Sequence, residues 1–204
     1  AMAWPDRGPL SLTARVLLFV ALALGVSLLI SASLLLSAVE RHFREQDLEE
    51  LSVALDAIAR SVAETGGTGD VRSALSGAIS GHHGVYFRVE DPSGRPLYRS
   101  SGPDLAGVAG LFAAVDPARP RTLEDVTLTV GHVDGQPMVG IVAMTGVGGR
   151  KFRILVAMDV AFHQAFLAAF RRSLVLILVT AGGAAVLAAW FGIRQGQVPL
   201  HRLR

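Results

Sequence analysis

Residues 16–39 read VLLFVALALGVSLLISASLLLSAV, and no charged side chain falls between Arg15 and Glu40. As a helix this run extends roughly 36 Å, enough to cross a hydrocarbon core of about 30 Å with some tilt. Its apolar stretch exceeds the roughly 7–15 residues of a cleaved secretory signal, so it reads as a transmembrane helix. A second uncharged run, Ser173 to Ile193, lies between Arg171-Arg172 and Arg194 and is also long enough to span. The two runs divide the chain into a terminus at 1–15, a crossing at 16–39, a domain at 40–172, a second crossing at 173–193 and a tail at 194–204.

Arg7 and Arg15 precede the first crossing, and Arg194, Arg202 and Arg204 follow the second. The positive-inside bias therefore predicts that both termini are cytoplasmic and that the domain lies on the other side. Arg171-Arg172 opposes this count, but long basic side chains snorkel at helix ends and large translocated domains mostly escape the rule. The net charge is only +2, and the arginines are scattered or flank the membrane. No basic patch interleaved with aromatics exists, which argues against nucleic acid and leaves membrane lipid as the partner of both spans. Cysteine is absent, which excludes a disulfide framework and a thiolate metal site.

In the domain, Leu48, Leu51, Leu55, Ile58 and Val62 recur at three and four residues, one face of an amphipathic helix. This helix is expected to continue the first crossing without a break to about Ala63, with Gly66-Gly67-Thr68-Gly69 ending it. A short helix is expected from Val71 to Ile79. Val85, Phe87 and Val89 alternate with polar neighbours as in a half-buried strand, Asp91-Pro92-Ser93-Gly94 is a turn, and Pro96 to Arg99 returns as a hairpin strand. Leu105 to Val115 is expected to hold a short helix. Three antiparallel strands should follow at Thr127 to His132, Met138 to Met144 and Phe152 to Ala157, broken by Asp134-Gly135 and by Gly146 to Gly149. From Asp159 the pattern is helical into the second crossing. The fold class is α+β.

The sequence resembles bacterial two-component sensor histidine kinases of the heavy-metal type, which include the copper and silver sensors and the cobalt, zinc and cadmium sensors. The resemblance lies in Ser11-Leu12-Thr13-Ala14-Arg15, in His42-Phe43 with Asp47 and Leu51, and in Gly84-Val85-Tyr86-Phe87-Arg88-Val89 with Gly94 and Leu97-Tyr98. It resumes in His163, Phe166, Phe170-Arg171-Arg172 and Leu174, and ends in Trp190 and Val198-Pro199-Leu200-His201-Arg202-Leu203. The resemblance implies a PAS-like periplasmic sensor domain between two inner-membrane helices, a HAMP linker starting within 194–204, a homodimer and a cognate response regulator. It also implies a transition-metal ion of the zinc, copper or silver type as signal. The phosphoacceptor and ATP-binding domain of such kinases would follow Arg204, so ATP belongs to that absent part and the residues in hand are expected to have no catalysis of their own.

Without cysteine, a metal would be held by histidine, carboxylate or methionine: imidazole and carboxylate suit zinc, whereas thioether favours copper(I) or silver. The candidates are His42, Glu45, Asp47, His82, His83, His132, His163, Met138, Met144 and Met158. His42 points roughly 150° from the apolar stripe, at about 100° per residue, and competes between a solvated histidine and a dimer-interface ligand. Asp47 points about 140° away from His42, so one straight helix does not chelate with both. His163 sits roughly 15 Å above the second crossing, a height comparable to Asp47, and the two can meet; a surface histidine is the plainer alternative. The resemblance implies His42, Asp47 and His163 as the metal ligands. His82-His83 reads as a loop, since adjacent residues in an extended chain point to opposite faces. Met138 and Met144 read as core residues. The competing readings are the same architecture sensing a small organic anion or peptide, or a membrane-anchored scaffold without a ligand.

The charge-free runs lead to one direct expectation. Reporter fusions at Asp104 and at Arg204 report opposite compartments; matching signals refute the two-crossing topology.

Overall fold

The computed structural model describes residues 12–65, 75, 84–119 and 121–196. The element order is α1 (Leu12–Glu64), β1 (Val85–Glu90), β2 (Pro96–Arg99), a 3₁₀ turn (Leu105–Val108), β3 (Ala113–Val115), β4 (Gly131–Val133), β5 (Gln136–Val147), β6 (Arg150–Asp159) and α2 (Ala161–Gly196). The chain forms two compact units, Val39–Leu167 and Ala1–Ala38 with Ala168–Arg204.

In the first unit the strands run in the order β2-β1-β6-β5-β3, with β4 pairing β5. All neighbours are antiparallel except β3 and β5, which are parallel. Two hairpins set the central register. Asp134 and Gly135 both have positive φ between β4 and β5, as do Gly148 and Gly149 between β5 and β6. Paired positive φ is the twist-compatible geometry of a tight hairpin turn.

Burial on β5 and β6 is nearly continuous because both faces of the sheet are covered. On one face Val139, Ile141, Ala143, Ile154, Val156 and Met158 pack in the cluster that holds Leu48, Leu51, Leu55, Ile58 and Val62 of α1. On the other, Met138, Val142, Leu155 and Ala157 pack with Leu105, Val108 and Phe112. The period-two alternation of strand side chains assigns each residue to its cluster. The five α1 side chains of the stripe are almost fully buried, each removing surface that stabilises by about 1.5–3 kcal/mol before entropy is counted.

The second unit holds the apolar stretches of α1 and α2, each long and apolar enough to cross a membrane and without a buried residue in its most apolar window. Leu18, Phe19, Leu34, Leu176, Val179 and Leu187 all stand exposed there. That much aliphatic surface is stable only where lipid is the solvent.

The α+β class and the unbroken first helix agree with the sequence reading, and four details differ. The segment 105–115 is a 3₁₀ turn followed by β3, because Ala113 to Val115 find a parallel edge on β5. The strand expected from Thr127 begins only at Gly131, since 127–130 has no pairing partner. The third strand runs on to Asp159, so α2 starts at Ala161. Met138 is in the core as expected, but Met144 is half-exposed, lying beyond the part of β5 that both layers cover. The helix expected over 71–79 lies outside the described residues apart from Leu75, which is buried. His82-His83, the glycine-rich stop at 66–69 and the linker start at 198–203 also lie outside them.

Gly140 shows how tight the second layer is. A methyl there would meet the backbone oxygen of Val156 at 2.7 Å and the Phe112 ring at 2.9 Å. Gly140→Ala should therefore cost about 1–3 kcal/mol of stability, read by denaturant unfolding of the whole chain in detergent; an unchanged midpoint contradicts this packing.

Candidate metal centre

The stripe of α1 that docks on the sheet does not stop at Leu48. Counting back by four from Leu51 gives Asp47 and then Phe43, so a carboxylate occupies the buried side of the helix, one turn below the leucines. Asp47 is 6% exposed. The apolar anchors above it dictate this position, and the carboxylate cannot turn to solvent without rotating the whole stripe.

His163 reaches the same place from α2. The β6 strand ends at Asp159, Val160 is buried and donates its N–H to Pro137 O at 3.0 Å, and Asp159 Oδ1 accepts the N–H of Ala161 at 2.7 Å. The helix thus starts from a pinned residue, with a side-chain acceptor on one of its free N–H groups. Gln164 N–H donates to Val160 O at 2.9 Å, so His163 lies within the first turn, where its direction is determined.

His163 Nδ1 and Asp47 Oδ1 approach to 3.0 Å. The contact does not meet hydrogen-bond geometry, and both atoms are buried without a hydrogen-bond partner among the described residues. Phe43 packs on the imidazole at a centroid distance of 4.6 Å, and Phe166 meets Phe43 edge-on at 5.5 Å. The pair opens into a cleft of about 320 Å³ whose walls include Phe43, Leu128, Val130, Val139 and Val160. The imidazole and the carboxylate thus pair with each other in a largely apolar pocket, with no further hydrogen-bond partner for these two atoms among the described residues.

Burial is the main influence on Asp47, pushing its carboxyl above the ordinary range; His163 when protonated pulls it part of the way back by its charge, and Glu50 pushes it up further. A raised folded-state pKa means that the folded chain holds this proton more tightly than the unfolded one. The stabilising contribution is complete below the unfolded value of 3.8 and is lost as pH rises through the folded value.

Of the other candidates, His42 is exposed on the outer side of α1, and Glu45 is exposed and paired with Arg41 at 3.0 Å. His132 is exposed on β4. The structure therefore brings together Asp47 and His163 and leaves His42 on a different face of its helix. Among the described residues no group of three or more His, Cys, Asp or Glu side chains stands together in one chain. Phe43 as the wall of the site was not singled out by spacing alone. The available signal was its place four residues before a charged residue that interrupts an apolar stripe.

The donor set fits a transition-metal ion in part. Ligand atoms each about 2.0–2.2 Å from a tetrahedral zinc-like ion lie about 3.3–3.6 Å apart, so these two atoms at 3.0 Å would separate slightly to hold one, and imidazole with carboxylate is a suitable chemistry. Two donors do not complete a coordination shell.

An α+β domain with a buried His–carboxylate pair, inserted between two membrane-spanning helices, defines a membrane-anchored sensor module. The chain belongs to the CusS sensor domain family, which matches residues 8–167. It is 27% identical to the Probable sensor kinase SilS of Salmonella typhimurium over 98% of this chain and 43% of that protein. It is 30% identical to the Sensor histidine kinase CusS of Escherichia coli K12 over 50% of this chain and 22% of that protein. The chain thus spans less than half the length of these relatives. No solved structure matches it.

The raised Asp47 gives a signed expectation. Asp47→Asn should be more stable than the parent at pH 7, where the parent buries a charge, and the gap should narrow as pH falls through the Asp47 pKa. Thermal unfolding of both chains at pH 7 and pH 4 measures this; a constant gap shows that the carboxylate is not held against its charge.

Proposed function

We propose that this chain is the periplasmic metal-sensing and membrane-spanning part of a two-component sensor histidine kinase. The observation that carries the reading is the buried approach of Asp47 to His163, two metal-competent groups that pair at 3.0 Å and have no further hydrogen-bond partner for these atoms among the described residues. A carboxylate buried at a cost to stability is a signature of sites kept for function. Membership of the CusS sensor domain family and likeness to two sensor kinases support the same reading.

Asp47 and His163 hold a zinc-, copper- or silver-type ion, and the ion supplies positive charge that binds the two groups to each other. His42 acts as a further ligand by facing a second copy of the chain in a homodimer, which would complete the coordination that one chain leaves short. The periplasmic domain is held between two inner-membrane crossings with both termini cytoplasmic, and the residues from 194 onward begin a HAMP linker. The ATP-using kinase core and its cognate response regulator act beyond it. The ion shifts the helix arrangement only by its difference in affinity for the two signalling states, about 1.4 kcal/mol for each tenfold.

The test is titration of the whole chain with zinc(II), copper(I) and silver(I), read as a rise in melting temperature. A ligand stabilises the fold only by binding it. The parent should gain stability with at least one ion, and His163→Ala and Asp47→Asn should lose most of that gain. His42→Ala should leave the metal-free stability within about 0.5 kcal/mol, as an exposed substitution does, while reducing the metal-induced gain. If no ion stabilises the parent, or the three variants respond as it does, the reading fails.

A further inference from the structure

Between β3 and β4 the described residues of 116–130 form turns without helix or strand, yet they are firmly seated. Arg121 is the reason. Its side chain is 6% exposed, a rare burial for a guanidinium. Nη2 donates to Asp56 Oδ1 at 2.8 Å and to Pro117 O at 3.2 Å, and Nη1 donates to Ser52 O of α1 at 3.4 Å. The contacts to Ser52 and Asp56 tie the segment to α1 across 69 and 65 residues of sequence.

Beyond Arg121, Val126 N–H donates to Thr122 O at 3.0 Å, and the Thr122 hydroxyl donates to Asp125 Oδ2 at 2.9 Å. This compact turn delivers Val126 into the core with Leu123 and Leu128 packed beside it. Leu128 and Val130 then form part of the wall of the cleft that holds Asp47 and His163. One end of the segment therefore grips α1 at Ser52 and Asp56, roughly 8–14 Å along the helix from Asp47, and the other end lines one side of the cleft.

The fastening has an unusual chemistry. Arg121 Nε and Ser52 Oγ are buried without hydrogen-bond partners among the described residues, and desolvating a guanidinium is costly. An apolar side chain would seat a passive loop at lower cost. A charge pair whose Asp56 carboxylate is half-exposed makes a contact that can open.

Building on the metal-sensing reading, we infer that residues 121–130 are a strap over the Asp47–His163 cleft, and that Arg121, clamped to Ser52 and Asp56, is the positioning residue that fastens it. With the strap fastened, Leu128 and Val130 narrow the route by which an ion enters or leaves the cleft. The clamp then governs exchange rate more than affinity, because opening the wall speeds entry and exit together.

The experiment uses the full chain in detergent, loaded in turn with zinc(II), copper(I) and silver(I) and chased with excess chelator. Amide hydrogen exchange is followed across 121–130. Asp56→Asn removes one anchor with little risk to folding; Arg121→Ala removes all; Arg121→Asp with Asp56→Arg restores the pair in reverse. Both loss variants should speed exchange in 121–130 and raise the metal release rate about tenfold, with a smaller change in affinity, and the reversed pair should recover part of both. Unchanged exchange in 121–130, or faster exchange with unchanged release, overturns the strap. If the parent binds none of the three ions, the metal-sensing reading fails by itself, and the strap fails with it only where protection of 121–130 survives both loss variants.

Discussion

A carboxylate on the wrong side of a helix organises this molecule. Asp47 occupies a position that the periodicity of α1 assigns to the core, and the leucines above it hold it there. Rotating α1 to free the carboxylate would expose Leu51, Leu55 and Ile58, whose burial is worth several kcal/mol in total on any area scale. The helix stays, and the carboxyl responds by holding its proton more tightly. His163 is the group that relieves this cost, and its position depends on how the sheet ends.

That dependence runs through Val160. A single buried residue separates β6 from α2, and its N–H is bonded to Pro137 at the start of β5. The register of the two longest strands therefore determines the angle from which His163 meets α1. A slip of one residue between β5 and β6 would turn the alternate clusters inside out and carry His163 away from Asp47. The site is in this sense a product of the central hairpin, although neither of its residues belongs to a strand.

Both site residues sit on helices that, farther along the sequence, become the apolar spans. The proposed ion site therefore lies on the same two helices as the apolar spans. The lining of the cleft, largely apolar with Glu40, Arg44 and Gln164 among its polar members, lowers the effective dielectric around Asp47 and His163 and so strengthens the interaction of their charges.

Much of this was legible in the residues. The two charge-free runs, the heptad-like leucines of α1, the hairpin turns and the α+β class all follow from local periodicity and turn chemistry, which depend on neighbours within a few positions. The candidate ligands Asp47 and His163 were also visible as residue types at matching heights. Their contact at 3.0 Å was not, because it joins positions 116 residues apart (163 − 47) through the strand register. The parallel edge of β3 and the exposure of Met144 were hidden for the same reason: each depends on what covers β5, not on the residues beside it in sequence. The sequence by itself determined the two apolar spans, the long helices that carry them and the central strands with their hairpin turns, since those preferences are local; it misplaced 105–115 and the start of β4, which depend on pairing with β5. Only the tertiary structure decided that Asp47 is buried, that His163 and Phe43 enclose it and that Arg121 reaches across to α1, because burial is a property of packed surfaces and not of a stretch of chain.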